Sequence, residues 1–481
     1  MSRRKLADTV RKLDVISPVS RALTKSPTSS NPLSKPVTPD DSIFFDLFRH
    51  ATVKSTCSVF PSTFWSETVM QIAHQEPAIW HATLAIAALH KSTQVPEGDE
   101  QSLAIRAETH YAKALGLARD ITTSLGIATL SAVLVSAASL LGRWSEMQKH
   151  VMAGLRIVSQ QYAPNLRVVV STLMKLDLQA MTFSESSSPY PYETTVAAFP
   201  VAQYLALPPV QGTSYEELSS EMFGLVRSYM ILGDNYIRGN VAYGPWLTSR
   251  EMFFRRLAHW ELTMAYFEST HPPSPKIELT RLCIRLWHVT ARILMRATPI
   301  GGETRFDSLL GYFEYGVKVA SAAKECMRKT EKNSFSLESA LVAPLWLLIH
   351  RCRHLGLRHA ALKLLQDINR TEAMWKSQLA AAAMKALVDV EEECLHTKRI
   401  PILLNGLPLN VPWHIWARPG VNIPTTLSWE NVPVIPEEHR VKDLLGLMSV
   451  HQSRVDIRLL MSADTVDSAE LGPVREITVE I

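Results

Sequence analysis

Apolar residues recur at helical spacing through most of this 481-residue chain. In FWSETVMQIAH, Phe64, Trp65, Val69 and Ile72 fall on one helical face. After Glu76-Pro77 a second stripe of Ile79, Ala82, Ile86 and Leu89 follows, with the proline suited to a first helical turn. Beyond the break at VPEGD, Leu103, Ala107, His110, Ala114 and Leu117 mark a third helix, and Ala/Leu/Ser-rich stretches over 127–141 and 145–160 predict two more. Further helices are predicted over 166–182, 218–232, 251–267, 277–297 and 306–329, separated in part by the turn-rich loops SSSPYPYETT and LPPVQGTSYEE. A last stripe places Trp375, Leu379, Ala383, Ala386 and Val390 on one face of a helix that closes in the acidic run 391–393.

Period-two alternation is rare before residue 400. After it, PILLNGLPLNVPWHIWARPGVNIP is irregular, and SRVDIRLLM and EITVEI read as short strands of a small terminal element. The expected fold class is therefore all-α, an irregular multi-helix domain with a small C-terminal β element. No repeat of fixed period is sustained, which argues against a helical-repeat array. Three regions follow: a basic, Ser/Pro-rich disordered tail and linker over 1–41, a helical body over 42–395, and an irregular C-terminal extension over 396–481.

Composition refines this picture. With 46% hydrophobic and 20% charged residues the chain has material for a large core, which excludes disorder throughout. The net charge of +4 is localised: residues 1–41 hold eight Lys/Arg against four Asp/Glu, leaving 42 basic and 42 acidic residues elsewhere. A neutral body lacks the broad positive field that holds a nucleic-acid backbone, so DNA contact is expected to be weak or indirect. Cys57, Cys283, Cys326, Cys352 and Cys394 are scattered singly, which suits free thiols in a reducing compartment. The N-terminus lacks the apolar run of a secretory signal, and the apolar stretch from Leu130 to Leu141 is far shorter than the ~20 residues that cross a bilayer, so no membrane partner is expected.

The chain holds none of the motifs G-x-S-x-G, H-E-x-x-H, G-x-x-x-x-G-K-[ST] or G-x-G-x-x-G, and the expectation is a non-enzyme without catalytic residues, cofactor or metal. HRCRHLGLRH sets His350 and His354 four apart, a zinc-like pitch, with Cys352 and His359 nearby. Arg351, Arg353, Arg358 and, further off, Arg370 disfavour a cation there, so the segment reads as a solvated basic face. His74 and His81, flanking EPAIW, read as core or interhelical hydrogen-bonding residues. In the tail, Arg3, Arg4, Lys5, Arg11 and Lys12 fit a nuclear-import or phosphate-contact segment and equally a solubilising terminus. Ser17, Ser26 and Thr38 each precede proline and are candidate phosphorylation positions.

Two segments carry a family resemblance. Residues 44–90, FFDLFRHATVKSTCSVFPSTFWSETVMQIAHQEPAIWHATLAIAALH, resemble the opening of the regulatory region in fungal transcription factors with a six-cysteine binuclear zinc cluster. The shared features are the Phe-Phe-x-x-Phe start, the Phe-Trp helix, and a helix begun by His-x-Glu-Pro-Ala and closed by Ala-Leu-His. Residues 343–393 are similar to the family's late segment, where a Pro-Leu run leads through an Arg-rich joint and an Ala-Leu-x-Leu-Leu helix to a Glu-x-x-Trp step and an acidic helix end. The resemblance implies an all-helical region that modulates transcription in the nucleus through other regulators or the transcription machinery, sometimes through a small-molecule effector, with homodimer or heterodimer formation open.

The family's six cysteines, which bind two zinc ions before a Ser/Pro-rich linker, have no counterpart here, since no cysteine precedes Cys57. The start of the chain resembles what trails that cluster. Two histories fit: a start codon placed too late, or loss of the module in a regulator that works through partners, with loss slightly favoured. Beside the leading expectation of a transcription regulator stand two others, a helical scaffold or small-molecule-binding protein that has lost the transcriptional role, and an enzyme on an all-helical frame.

Overall fold

A computed structural model describes residues 38–95, 99–160, 164–184, 214–272, 274–330, 334–395, 402, 410–447, 454–463 and 472–480. Helix α1 (Pro39–Leu47) starts where Thr38 accepts the Asp41 amide at 3.1 Å and proline fills the first helical position. A π-helical stretch, Phe48–Thr52, leads into α2 (Val53–Thr56), and another, Phe64–Thr68, into α3 (Val69–Ala73). Then follow α4 (Pro77–Ser92), α5 (Glu100–Leu117), α6 (Ser124–Leu140), α7 (Trp144–Gln160), α8 (Arg167–Ser184), α9 (Tyr215–Ile237), α10 (Tyr243–Thr270), α11 (Glu278–Arg296) and α12 (Leu310–Thr330). The predicted helices lie within these spans, overshooting them by at most one residue at an end, except that the start of the 306–329 segment is a 3₁₀ turn, Glu303–Leu309.

Sequence decides which helices sit centrally. In α4 almost every residue from Ala82 to His90 is buried, and in α6 the same holds from Ala128 to Ser139, as expected of helices apolar on all sides. By contrast α5 buries only Leu103, Ala107, His110, Tyr111 and Ala114, and α7 only Met147, Val151, Gly154, Leu155 and Val158, so each covers a central helix with one stripe. Thr123 and Ser214 cap α6 and α9 through their hydroxyls, and Gly142, at φ 69°, ends the turn after α6.

The late part begins with β1 (Phe335–Ser336), α13 (Val342–Arg351), α14 (Leu355–Gln366), β2 (Thr371–Glu372), β3 (Trp375–Lys376) and α15 (Ser377–Glu391). The three two-residue strands form a sheet, with β1 parallel to β2 and β2 antiparallel to β3, that the alternation pattern does not reveal because it is so short. Trp375 therefore stands in β3, ahead of the helix predicted to include it. In α15 the buried stripe runs through Ala380, Ala383, Met384, Leu387 and Val388, while Leu379 and Ala386 are half-buried. The expected stripe was one position off centre.

After a single turn, α16 (Trp413–Trp416), an extended strap continues to about residue 430 across α11 and α12. Its carbonyls are gripped by side chains: Arg285 donates to Val411 O at 2.9 Å, Arg292 to Trp416 O at 2.6 Å, Tyr312 to Val421 O at 2.6 Å, and Arg296 also to Val421 O. Strands β4 (Val441–Leu447), β5 (Arg454–Met461) and β6 (Val474–Glu480) then form an antiparallel sheet in sequence order. The two expected strands are β5 and β6. The third, β4, was missed because VKDLLGL does not alternate cleanly.

Gly311 tests the strap's seating, since a Cβ there would run into the carbonyl of Ile423, whereas Gly116 on α5 faces open space. Gly311→Ala is expected to cost about 1–3 kcal/mol through overpacking, and Gly116→Ala to stabilise by up to ~1 kcal/mol. Urea unfolding of the two variants measures both signs.

Candidate functional site

The opening segment that carries the family resemblance packs against the stretch just ahead of the late one. Ser55, on α2, donates to Phe335 O at 2.6 Å, Thr56 accepts the Leu337 amide at 3.3 Å, and the His90 ring stacks on Phe335 at 4.2 Å. The opening helices thus contact the stretch that leads directly into α13.

The most concentrated chemistry lies where α13 ends. Arg351 reaches Glu303 at 2.6 Å, Arg353 reaches Glu303 at 3.2 Å and Glu391 at 2.9 Å, and Arg358 reaches Glu391 at 2.6 Å. Glu391 also accepts the Val441 amide at 2.5 Å, while Arg353 and His350 donate to Val441 O at 2.9 and 3.2 Å. Arg440 holds Asp307 through two bonds of 2.8 Å, and Glu437 accepts the amides of Glu303 and Thr304. At the other end of α13, Arg370 pairs with Glu372, whose carboxylate accepts the Ala340, Leu341 and Val342 amides and so caps the helix.

This overturns the solvated-face reading of HRCRHLGLRH. Arg351, Arg353, Arg358 and Arg370 are all at most 3% exposed, because Glu303, Glu391 and Glu372 neutralise them. Nor do His350 and His354 share a helix face. The helix ends at Arg351, and His354 accepts the Leu357 amide at 3.4 Å as the cap of α14. His359 bonds Glu392 at 2.9 Å. Among the described residues, no group of three or more His, Cys, Asp or Glu is placed to hold a metal ion.

Electrostatics follow from burial against charge. Burial pushes the Glu303 carboxyl up, yet Arg351, Arg305 and Arg353 outweigh it and hold the group well below the usual range. For Glu391 burial is likewise outweighed, here by Arg353 and Arg358. His350 is driven well below its ordinary value by burial and then by Arg351 and Arg353, so it stays neutral and bonds a carbonyl. Burial raises the Cys352 thiol to about 12, which leaves it unreactive.

A second buried cluster joins α10, α11 and the strap. His288 lies 2.5 Å from Glu261, and Arg292 binds both Glu261 oxygens. A histidine–carboxylate pair suggests acid–base work, but both residues are 0% exposed and enclosed by Trp260, Trp413 and Trp416. The arrangement clamps the strap, with Arg292 also donating to Trp416 O.

The remaining candidates separate. His81 meets His110 at 3.0 Å, and His110 lies 3.4 Å from Asp41, which fits the interhelical expectation. His74 instead sits at the end of α3 with its ring against Phe45 at 5.1 Å, so the two histidines serve different contacts. Thr38 is exposed and caps α1. Arg3, Arg4, Lys5, Arg11, Lys12, Ser17 and Ser26 lie outside the described residues. Sequence reasoning missed Glu303, Asp307, Glu437 and Arg440. A usable signal existed for Glu391, a carboxylate that continues the apolar stripe Ala380, Met384, Leu387 of its own helix.

The family model described as "Fungal specific transcription factor domain" matches residues 43–308, more than half of the chain, and the chain belongs to that family. No curated protein and no solved structure matches it. The matched range contains the opening segment and Glu303, while the Arg-rich joint lies beyond it. Membership places the chain among transcription regulators, a family that is not enzymatic. Among the described residues, no helix is long and apolar enough to cross a membrane.

Two outcomes follow. Arg353→Ala leaves Glu391 and Glu303 underpaired inside the protein and is expected to cost about 3–5 kcal/mol in urea unfolding. Acid should weaken the fold in two waves. His90, His110 and His150 are lowered to about 4, chiefly by burial, so their contribution is full above the unfolded value of ~6.5 and lost as pH falls toward 4. Glu303 and Glu391 add a further loss below the ordinary glutamate value of ~4.3, because their folded values are depressed. Melting temperature against pH from 7 to 3 reads both waves, and a flat profile contradicts them.

Proposed function

We propose that this chain is the regulatory part of a nuclear transcription regulator and acts through protein partners, contacting DNA itself only weakly or indirectly. The carrying observation is the family match over 43–308. How the body spends its basic charge supports the partner-based mode. Among the described residues, Arg227, Arg256, Arg281, Arg285, Arg292, Arg351, Arg353, Arg358, Arg370 and Arg440 are buried, most in ion pairs or carbonyl bonds. Charges committed internally do not form a phosphate-binding face. The five single cysteines supply no binuclear zinc cluster within this sequence.

In this reading the helical body presents surfaces to other regulators or to the transcription machinery, and the basic tail with Arg3, Arg4, Lys5, Arg11 and Lys12 serves nuclear import. Ser17, Ser26 and Thr38 would admit phosphate close to that charge. The test is a fusion of the full chain to a foreign DNA-binding module with a matching reporter. Nuclear accumulation and reporter output that departs from the module alone are expected, and unchanged output overturns the reading. The purified chain should carry no stoichiometric zinc and bind mixed duplexes weakly, with salt-sensitive affinity and no sequence preference. Two zinc ions per chain, or strong preference for one duplex, would contradict the indirect mode.

A further inference from the structure

A small cavity lies where α8, α9, α11 and the segment before α13 converge, lined by Lys175, Leu178, Gln179, Phe223, Trp287, Glu338 and Ser339. Three of its lining residues each carry a buried polar atom without a hydrogen-bond partner: Gln179 Oε1, Glu338 Oε1 and Trp287 Nε1. Their residues are 3%, 3% and 1% exposed. Orphaned polar atoms in a protein interior are costly, and here two acceptors and one donor belong to residues that line one small cavity.

We infer that this cavity is a binding site for one neutral guest of water size that accepts from Trp287 and donates to Gln179 and Glu338. Size sets the upper bound, because the cavity measures about 10 Å³, at the lower edge of what one water requires. Charge sets the class. Lys175 lies 3.4 Å from Glu338 Oε2 and 5.5 Å from the centre of the Phe223 ring, so the site already holds one cation and one anion in balance. A second cation meets the ammonium and a second anion meets the carboxylate. A neutral molecule with both donors and acceptors offends neither, and water, which typically makes about three bonds in such sites, matches the three unpaired atoms. The guest would tie α8 and α11 to Glu338, just ahead of α13, and so act as a positioning element at the joint between the early helices and the late segment.

The direct test is a crystal structure of the full chain at a resolution that shows ordered water. A density peak within hydrogen-bond distance of all three atoms is expected. An empty cavity, or side chains turned to bond one another, overturns the inference. An independent measurement uses Trp287→Phe, Gln179→Met and the double variant. If both residues hold the same guest, each single change lowers Tm, and the double change lowers it by less than the sum of the two. Strictly additive losses would show that the two atoms share nothing.

Discussion

A guanidinium cannot shed its proton inside a protein, so every buried arginine must be met by a carboxylate or by carbonyls, and this constraint organises the late half of the chain. Arg353 is the centre. Fully enclosed, it reaches Glu303 before α12, Glu391 at the end of α15 and the carbonyl of Val441 at the start of β4. Three elements far apart in sequence are thereby brought to one point, and Arg351 and Arg358 add bonds from the same short joint. Such a knot is expensive to desolvate and contributes less net stability than its bond count suggests. What it contributes is position, since the alternative placements leave a charge buried alone.

The same economy recurs in the strap. Arg285, Arg292 and Arg296 on α11 grip main-chain carbonyls of residues 411–421, while Trp413 and Trp416 fill the space between α10 and α12. An irregular segment is held by side chains from regular ones, which satisfies backbone groups that no ladder reaches. For a regulator proposed to work through other proteins this matters. Among the described residues, the buried arginines are consumed internally and add little to any positive field at the surface.

Much of this was legible in sequence, and the limits are physical. Apolar spacing located α3 to α12 because one buried stripe repeats every three to four residues. The aromatic opening at 44–90 and the Arg-rich joint signalled the family before any fold was visible. The charge knot was not legible, because HRCRHLGLRH looks like a solvated face unless its partners are known, and Glu303 and Glu391 lie 33 or more residues from the arginines they pair with. Short strands β1, β2 and β3 escaped for a related reason, since two residues carry no period. β4 escaped because its register is broken between Val441 and Asp443.

The arginine knot ties β4 to the helical core, so the β4–β6 sheet and the core should unfold as one cooperative unit. Native-state hydrogen exchange tests it at one atom, the Val441 amide that donates to Glu391. This amide, together with those of β5, is expected to exchange only through the global unfolding that releases the amides of α4 and α6. Exchange of Val441 and β5 through a separate opening of lower free energy, with α4 and α6 still protected, would contradict it.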